Sequence, residues 1–240
     1  MKKNLKLDAL FIGAHPDDIE ITSSGTLLKF VQAGKKTGIL DLTRGELSTR
    51  GTPESRITET QNASKILGIS VRENLGLPDG NIENTYENRL KIIEIIRKYK
   101  PSIIFAPFSN DRHPDHIYTS EIVRDAVFYS GLTKITTGKF QAFRPKRIFY
   151  FRHAYDLPVS AIVDITDVFE KKMKSILAYK SQFFNPKNKS EPETYISSRL
   201  FIKDIETRAR FYGFKVGVEF GEPFYSEEPF KASINELLKI

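Results

Sequence analysis

Apolar and polar positions alternate in a regular rhythm over the first half of the chain. Short apolar runs occupy residues 7–13 (LDALFIG), 37–42 (TGILDL), 71–77 and 102–108 (SIIFAPF), and each reads as a strand. Between them lie stretches with helical spacing. Residues 22–36 (TSSGTLLKFVQAGKK) form the first, and residues 54–67 (ESRITETQNASKIL) the second, which stops at Gly68. Residues 86–99 (YENRLKIIEIIRKY) place apolar side chains at 90, 92, 93, 95, 96 and 99 and end before Pro101, which cannot continue a helix. A further helix is expected over 116–129. Strands linked by helical crossovers imply an α/β fold, a mostly parallel sheet with helices on both faces. From Lys146 the order changes. RIFYFRH (147–153) and SAIVDIT (160–166) read as strands, DVFEKKMKSILAYKSQF (167–183) as a helix, FFNPKNKSEPET (183–194) as a polar loop, and RLFIKDIETRARFYGFKVG (199–217) as a helix. No linker, repeat or low-complexity tract interrupts this, so one domain over 1–240 with a C-terminal elaboration is expected.

Composition narrows the classes. A chain of 240 residues with 40% hydrophobic content is large enough to bury a full core without staples. With no cysteine, disulfides, thiolate metal sites and cysteine nucleophiles are excluded, which is compatible with a reducing compartment. The apolar run after the first lysines is too short for a signal-peptide core, and no stretch reaches the ~18–20 apolar residues of a membrane span. A cytoplasmic protein that uses no membrane is the expectation. The net charge is +7, from 37 Lys and Arg against 30 Asp and Glu. The basic residues are scattered, without a nucleic-acid-binding pattern, so the excess suits a solvated surface or a small anionic substrate rather than nucleic acid. The first strand is not followed by GxGxxG, which removes the support for dinucleotide binding.

The chemistry is concentrated in two short runs, AHPDD (14–18) and HPDH (113–116), which hold three of the four histidines. Each follows a strand, and in an open parallel sheet the C-terminal strand ends form one rim where ligands bind. A residue before proline is pushed toward extended geometry, so His15 and His113 sit in stiff turns. His15, Asp18 and His116 supply two imidazoles and a carboxylate, the ligand set of a catalytic zinc site that keeps a position open for water. Asp17 is left over as a general base for that water, whose pKa such a metal lowers to about 7. His113, with a carboxylate such as Asp115 to orient it, could donate a proton or stabilise an oxyanion. Taken singly, Asp17 or Asp18 could be ordinary turn or N-cap residues, and HPDH a surface turn. The same ligand types also serve non-haem ferrous oxygenases. A binding module for sugars or nucleotides could retain the rim without chemistry. The fourth histidine, His153, ends the RIFYFRH strand and reads as structural.

AHPDD together with HPDH resembles the LmbE-like (PIG-L) family of zinc-dependent N-acetylglucosaminyl deacetylases. DLTRGELSTRGT (41–52), DRHPDH (111–116), VDITDVFEKK (163–172), AYKSQF (178–183) and FYGFKVGVEFGEPF (211–224) are similar to its bacillithiol-biosynthesis branch. The resemblance implies a Rossmann-like fold, homo-oligomers that are often hexamers, and removal of acetyl from N-acetyl-glucosaminyl-L-malate. Other N-acyl amino sugars, such as chitooligosaccharides, share the reacting amide. It places a zinc ion on His15, Asp18 and His116; by ligand type Fe2+ would be accepted as well as Zn2+. The base falls on Asp17, the stabilising histidine on His113, its supporting carboxylate on Asp115, and a substrate-contacting arginine on Arg56. A mycothiol-pathway relative carries a tyrosine two residues before the HPDH histidine. Asp111 stands there in this chain, which leaves Tyr195 as a substitute. Malate brings two carboxylates, and Arg50, Arg56 and Arg112 are expected on the rim to bind them.

Overall fold

The computed structural model describes residues 5–184, 191–231 and 233–234. Of the polar loop expected over 183–194, residues 185–190 lie outside the described residues. The elements run β1 (Ala9–Gly13), α1 (Asp18–Thr22), α2 (Ser24–Gln32), β2 (Thr37–Thr43), α3 (Pro53–Leu67), β3 (Val71–Leu77), α4 (Tyr86–Tyr99) and β4 (Ile103–Pro107). They continue with α5 (Pro114–Ser130), β5 (Arg147–Phe151), β6 (Ala161–Asp164), α6 (Phe169–Ile176), α7 (Arg199–Lys215) and β7 (Gly221–Tyr225). The seven strands form one sheet in the order β3-β2-β1-β4-β5-β7-β6. The first five are parallel, and β7 runs antiparallel to both β5 and β6. This is the mixed α/β, mostly parallel, Rossmann-like arrangement that the strand–helix rhythm predicts.

Strands β1 and β2 are buried at every position, because helices cover both faces of the sheet. Successive side chains of a strand point to opposite faces. Leu10 and Ile12 of β1 therefore join Ile92, Ile96, Ile122 and Val123 of α4 and α5. Ala9 and Phe11 join Leu27 and Leu28 of α2 and Phe169 of α6. Phe11 stacks on Phe105 of β4 with ring centroids 4.3 Å apart. These two packed faces hold the strand ends, and so the loops that follow them, in fixed register.

Three elements differ from the sequence reading. The helix expected over 22–36 is two helices broken at Ser23, whose backbone is non-helical (φ −136°), and the first of them begins inside AHPDD at Asp18. Strand β7 has no counterpart among the strands read from the sequence. Pro223 cannot donate to a ladder, which argues against an interior strand, yet GEPFY inserts between β5 and β6. The helix expected over 167–183 is also shorter, ending at Ile176. Among the described residues, no helix is long and apolar enough to cross a membrane.

Candidate metal centre

Strands β1 and β4 are neighbours, but the chain leaves β1 toward β2 and leaves β4 toward β5, on opposite sides. The crevice at such a switch point is where open α/β sheets bind ligands. Both histidine runs enter it. After β1 the chain turns tightly: the His15 N–H donates to Asp18 Oδ2 (2.9 Å) and the Asp18 N–H to the His15 carbonyl (3.3 Å). A Cβ at Gly13 would lie 3.0 Å from the Asp18 Cβ, a tight contact that glycine avoids. Asp17 has φ 111°, and Asp17 and Lys100 are the non-glycine residues with positive φ among the described residues. Such backbone costs of order 1–3 kcal/mol and persists where the surroundings over-determine it. Asp17 occupies the N-cap position of α1 yet makes no capping bond. Its Oδ2 instead accepts from Arg56 Nη1 at 2.8 Å, and that guanidinium also donates to the Pro16 carbonyl (2.6 Å) and to Ser48 Oγ (3.1 Å). Burial pushes the Asp17 carboxyl up to about 6, against the pull of Arg56.

The second run starts α5. His113 is its N-cap in extended backbone (φ −92°, ψ 121°), Pro114 fills the first turn, and His113 Nδ1 accepts from the Asp115 N–H at 3.2 Å. A neutral His113 ring therefore carries its proton on Nε2. Burial and the neighbouring His15 and His116 rings hold His113 below the usual imidazole range.

The two runs meet. The ring centroids of His15 and His116 are 5.6 Å apart. His15 Nδ1 lies 3.6 Å from Asp18 Oδ2, and His116 Nε2 lies 3.3 Å from Asp18 Oδ1. The remote ring nitrogens are held by carboxylates: His15 Nε2 by Asp79 Oδ1 (3.1 Å) and Asp115 Oδ2 (3.2 Å), His116 Nδ1 by Asp111 Oδ1 (2.9 Å). An imidazole backed by a carboxylate is the usual setting of a metal ligand, because the outer bond fixes the tautomer and leaves the inner nitrogen its lone pair. Burial disfavours charge on both rings, but the carboxylates outweigh it. Asp115, Asp18 and Asp79 hold His15 well above its ordinary value, and Asp18 and Asp111 push His116 up to about 9. Asp18 is buried, yet His116 and the other imidazoles keep its carboxyl well below the usual range. The cluster is thus an anionic pocket that protons neutralise, and a cation fits it. His15, Asp18 and His116 place one donor atom each within 4.8 Å of one another, as do two overlapping sets, His15–His113–Asp115 and Asp111–His116–His153.

A cavity of about 400 Å³ opens over these groups, lined also by Leu47, Arg56, Arg112 and Tyr195. Arg112 lies over the Tyr195 ring at 4.5 Å, so both stand at the mouth together. The other two arginines are engaged differently from the sequence expectation. Arg50 is buried in the loops, donating to the carbonyls of Ser181 and Pro192 (2.9 Å each), and is not among the residues lining the cavity. Arg56 lines the cavity but spends its Nη groups on Asp17, Pro16 and Ser48. The Asp115 carboxylate bonds His15 and the Gly80 N–H (2.8 Å) instead of His113; its backbone N–H is what meets His113. The first turn of α5 forces this, since a residue two positions past the N-cap presents its amide, not its side chain, to the cap. Three groups of the cluster were not assigned to it from sequence: Asp79, Asp111 and His153.

Residues 10–127, from β1 through most of α5 and including both histidine runs, match the family model described as PIG-L: GlcNAc-PI de-N-acetylase. The fold matches the conserved protein TT1542 from Thermus thermophilus, with a TM-score of 0.86 and 36% identity, covering 95% of this chain and 98% of that one. The half of the chain that carries both histidine runs thus resembles the PIG-L family. Similar proteins include the diacetylchitobiose deacetylase of Thermococcus kodakarensis, 29% identical over 228 residues, covering 89% of this chain and 80% of the relative. A protein of Bacillus anthracis described as a probable N-acetyl-alpha-D-glucosaminyl L-malate deacetylase 2 is 27% identical over 187 residues, covering 72% of this chain and 80% of the relative.

Proposed function

We propose that this chain is a metal-dependent deacetylase that hydrolyses the N-acetyl group of a small N-acetylglucosaminide. The observation that carries this reading is the convergence of His15, Asp18 and His116 beside Asp17, a buried carboxylate held in left-handed backbone that caps nothing. His15 Nδ1, Asp18 and His116 Nε2 would hold the ion, and Zn2+ suits two imidazoles and a carboxylate. When bound, the ion supplies Lewis acidity and makes water nucleophilic near neutral pH.

The chain's own residues supply the rest. Arg56 fixes Asp17 through Oδ2 and leaves Oδ1 to take the proton of the attacking water. As the water oxygen bonds the acetyl carbon, His113 donates from Nε2 to the amide oxygen where negative charge develops. The C–N bond then breaks, and the proton from Asp17 goes to the departing nitrogen, yielding acetate and the free amino sugar. Asp115 and Asp79 orient His15, and Asp111 orients His116. Arg112 and Tyr195 stand where the remainder of the substrate would lie.

The finer proposal is N-acetyl-glucosaminyl-L-malate as substrate. The net charge of +7 and Arg112 at the mouth favour an anionic aglycone, although Arg50 and Arg56 are already engaged. Diacetylchitobiose is the second reading, favoured by a relative that matches along 89% of this chain. Incubating the purified protein with each compound, with and without chelator, and measuring acetate and free amine tests both. Chelator-sensitive release of acetate supports the deacetylase; the absence of acetate from every N-acetylglucosaminide tried, with zinc or ferrous iron added, sinks it.

A further inference from the structure

His153 follows β5 and reaches the cluster from a third loop. Its ring packs against His116 with centroids 4.2 Å apart, and its Nε2 lies 3.3 Å from Asp18 Oδ1. That nitrogen is buried and has no hydrogen-bond partner, because the approach to Asp18 is out of line for one. A buried polar atom left without a partner costs about 1–3 kcal/mol and calls for an explanation such as an ion or water that belongs there. The distance itself is informative. Metal–ligand bonds of about 2.0–2.1 Å at tetrahedral angles set neighbouring donor atoms about 3.3–3.4 Å apart. His153 Nε2 and His116 Nε2 each lie 3.3 Å from the same oxygen, Asp18 Oδ1. Asp18 Oδ2 is engaged by the His15 N–H, so Oδ1 is the oxygen turned toward both rings.

The peptide group that follows His153 is clamped at both its carbonyl and its N–H. Arg208 of α7 donates from Nη1 to the His153 carbonyl (2.8 Å), and Asp111 Oδ2 accepts from the Ala154 N–H (2.9 Å). The other oxygen of Asp111 holds His116 Nδ1. One carboxylate therefore sets the two imidazoles against each other. A histidine that served only to fill space would not need its backbone fixed to the same group that orients a metal ligand.

We propose that His153 is a further metal-ligating side chain, giving the centre three imidazoles and one carboxylate. The inference rests on the reading that His15, Asp18 and His116 bind a metal ion. With four protein donors, substrate and water gain access only when the coordination number rises to five or more. That favours ions tolerant of higher coordination over a strictly four-coordinate site.

X-ray absorption of the zinc-loaded full chain counts the imidazoles directly and needs no variant. Three imidazoles at a nitrogen distance of about 2.0–2.1 Å support the proposal; two overturn it while leaving the three-ligand reading intact. Failure of the protein to retain zinc overturns both. Cobalt substitution provides the second arm, in which wild type, His153→Ala and His153→Gln are titrated with Co2+ and their visible spectra compared. Loss of a ligand shifts the band positions and intensity and weakens Co2+ binding by more than roughly tenfold. An unchanged spectrum in either folded variant, with or without a change in affinity, overturns ligation by His153.

Discussion

Helix α1 contributes to two clusters of buried charge that are built on different rules. In the inner one, Glu20 Oε1 accepts from Arg72 (2.7 Å) and Tyr179 (3.1 Å), while Arg72 grips both oxygens of Asp41 (2.7 and 2.9 Å). Close by, Lys172 binds Glu222 and the Ile21 carbonyl (2.8 Å each), and Glu222 takes the N–H groups of Gly25 and Thr26 at the start of α2. Fixed cations and anions alternate there, Arg72 and Lys172 against Glu20, Asp41 and Glu222, so most of the charge is paired within the chain. In the outer cluster five aspartates, 17, 18, 79, 111 and 115, crowd around imidazoles, and Arg56 is the fixed cation bonded to one of them. Paired charge ties strand to helix and C-terminal β7 to α2. Unbalanced anionic charge with inward nitrogen donors makes a receptor for a cation.

This contrast can be broken from either side. The largest effect is expected at the outer cluster. Asp17→Asn keeps the bond to Arg56 and removes the proton acceptor, so turnover should fall about 10²–10⁴-fold with metal content and urea midpoint unchanged. Near-normal turnover would show that another group takes the proton. At the inner cluster, Glu222→Ala leaves Lys172 without its carboxylate and strips the start of α2 of its acceptor. Loss of one partner of a buried pair costs about 3–5 kcal/mol, read as a lower urea midpoint, while the folded fraction should still bind metal. Asp111→Asn is intermediate: metal affinity should weaken about 10–100-fold, measured by chelator competition, with little change in the urea midpoint. The smallest effect is expected at the mouth. Arg112→Ala should raise KM for the malate glycoside about tenfold, the scale of one hydrogen bond to a charged group, and leave KM for diacetylchitobiose unchanged. Equal effects on both substrates would remove Arg112 from aglycone recognition.

The outer cluster was partly readable in the sequence for a physical reason. Its central donors come in two runs stiffened by Pro16 and Pro114, and each run follows a buried strand whose end is fixed by the sheet. Spacing alone therefore brought His15, Asp18 and His116 together. Asp79 arrives singly, on a loop whose position depends on long-range packing. His153 follows β5 at the same rim, but as a lone histidine without a proline or aspartate beside it, it read as structural. Asp111 was visible only as a departure from a relative's tyrosine, and its two oxygens reach partners 5 and 43 residues away. The arginines misled because a basic side chain near a rim looks free until its acceptors are known. For Arg50 these are carbonyls 131 and 142 residues further along the chain. The parallel core followed from apolar periodicity, whereas β7, short and carrying Pro223, takes its strand form from the neighbours it slots between.

Crystals grown with zinc and measured at its absorption edge test the receptor directly. The account predicts an anomalous peak at bonding distance, about 2.0–2.2 Å, from His15 Nδ1, Asp18 Oδ1 and His116 Nε2, with Asp17 still held by Arg56 and outside the coordination sphere. A peak bound elsewhere on the chain, or Asp17 found as a ligand, would contradict it.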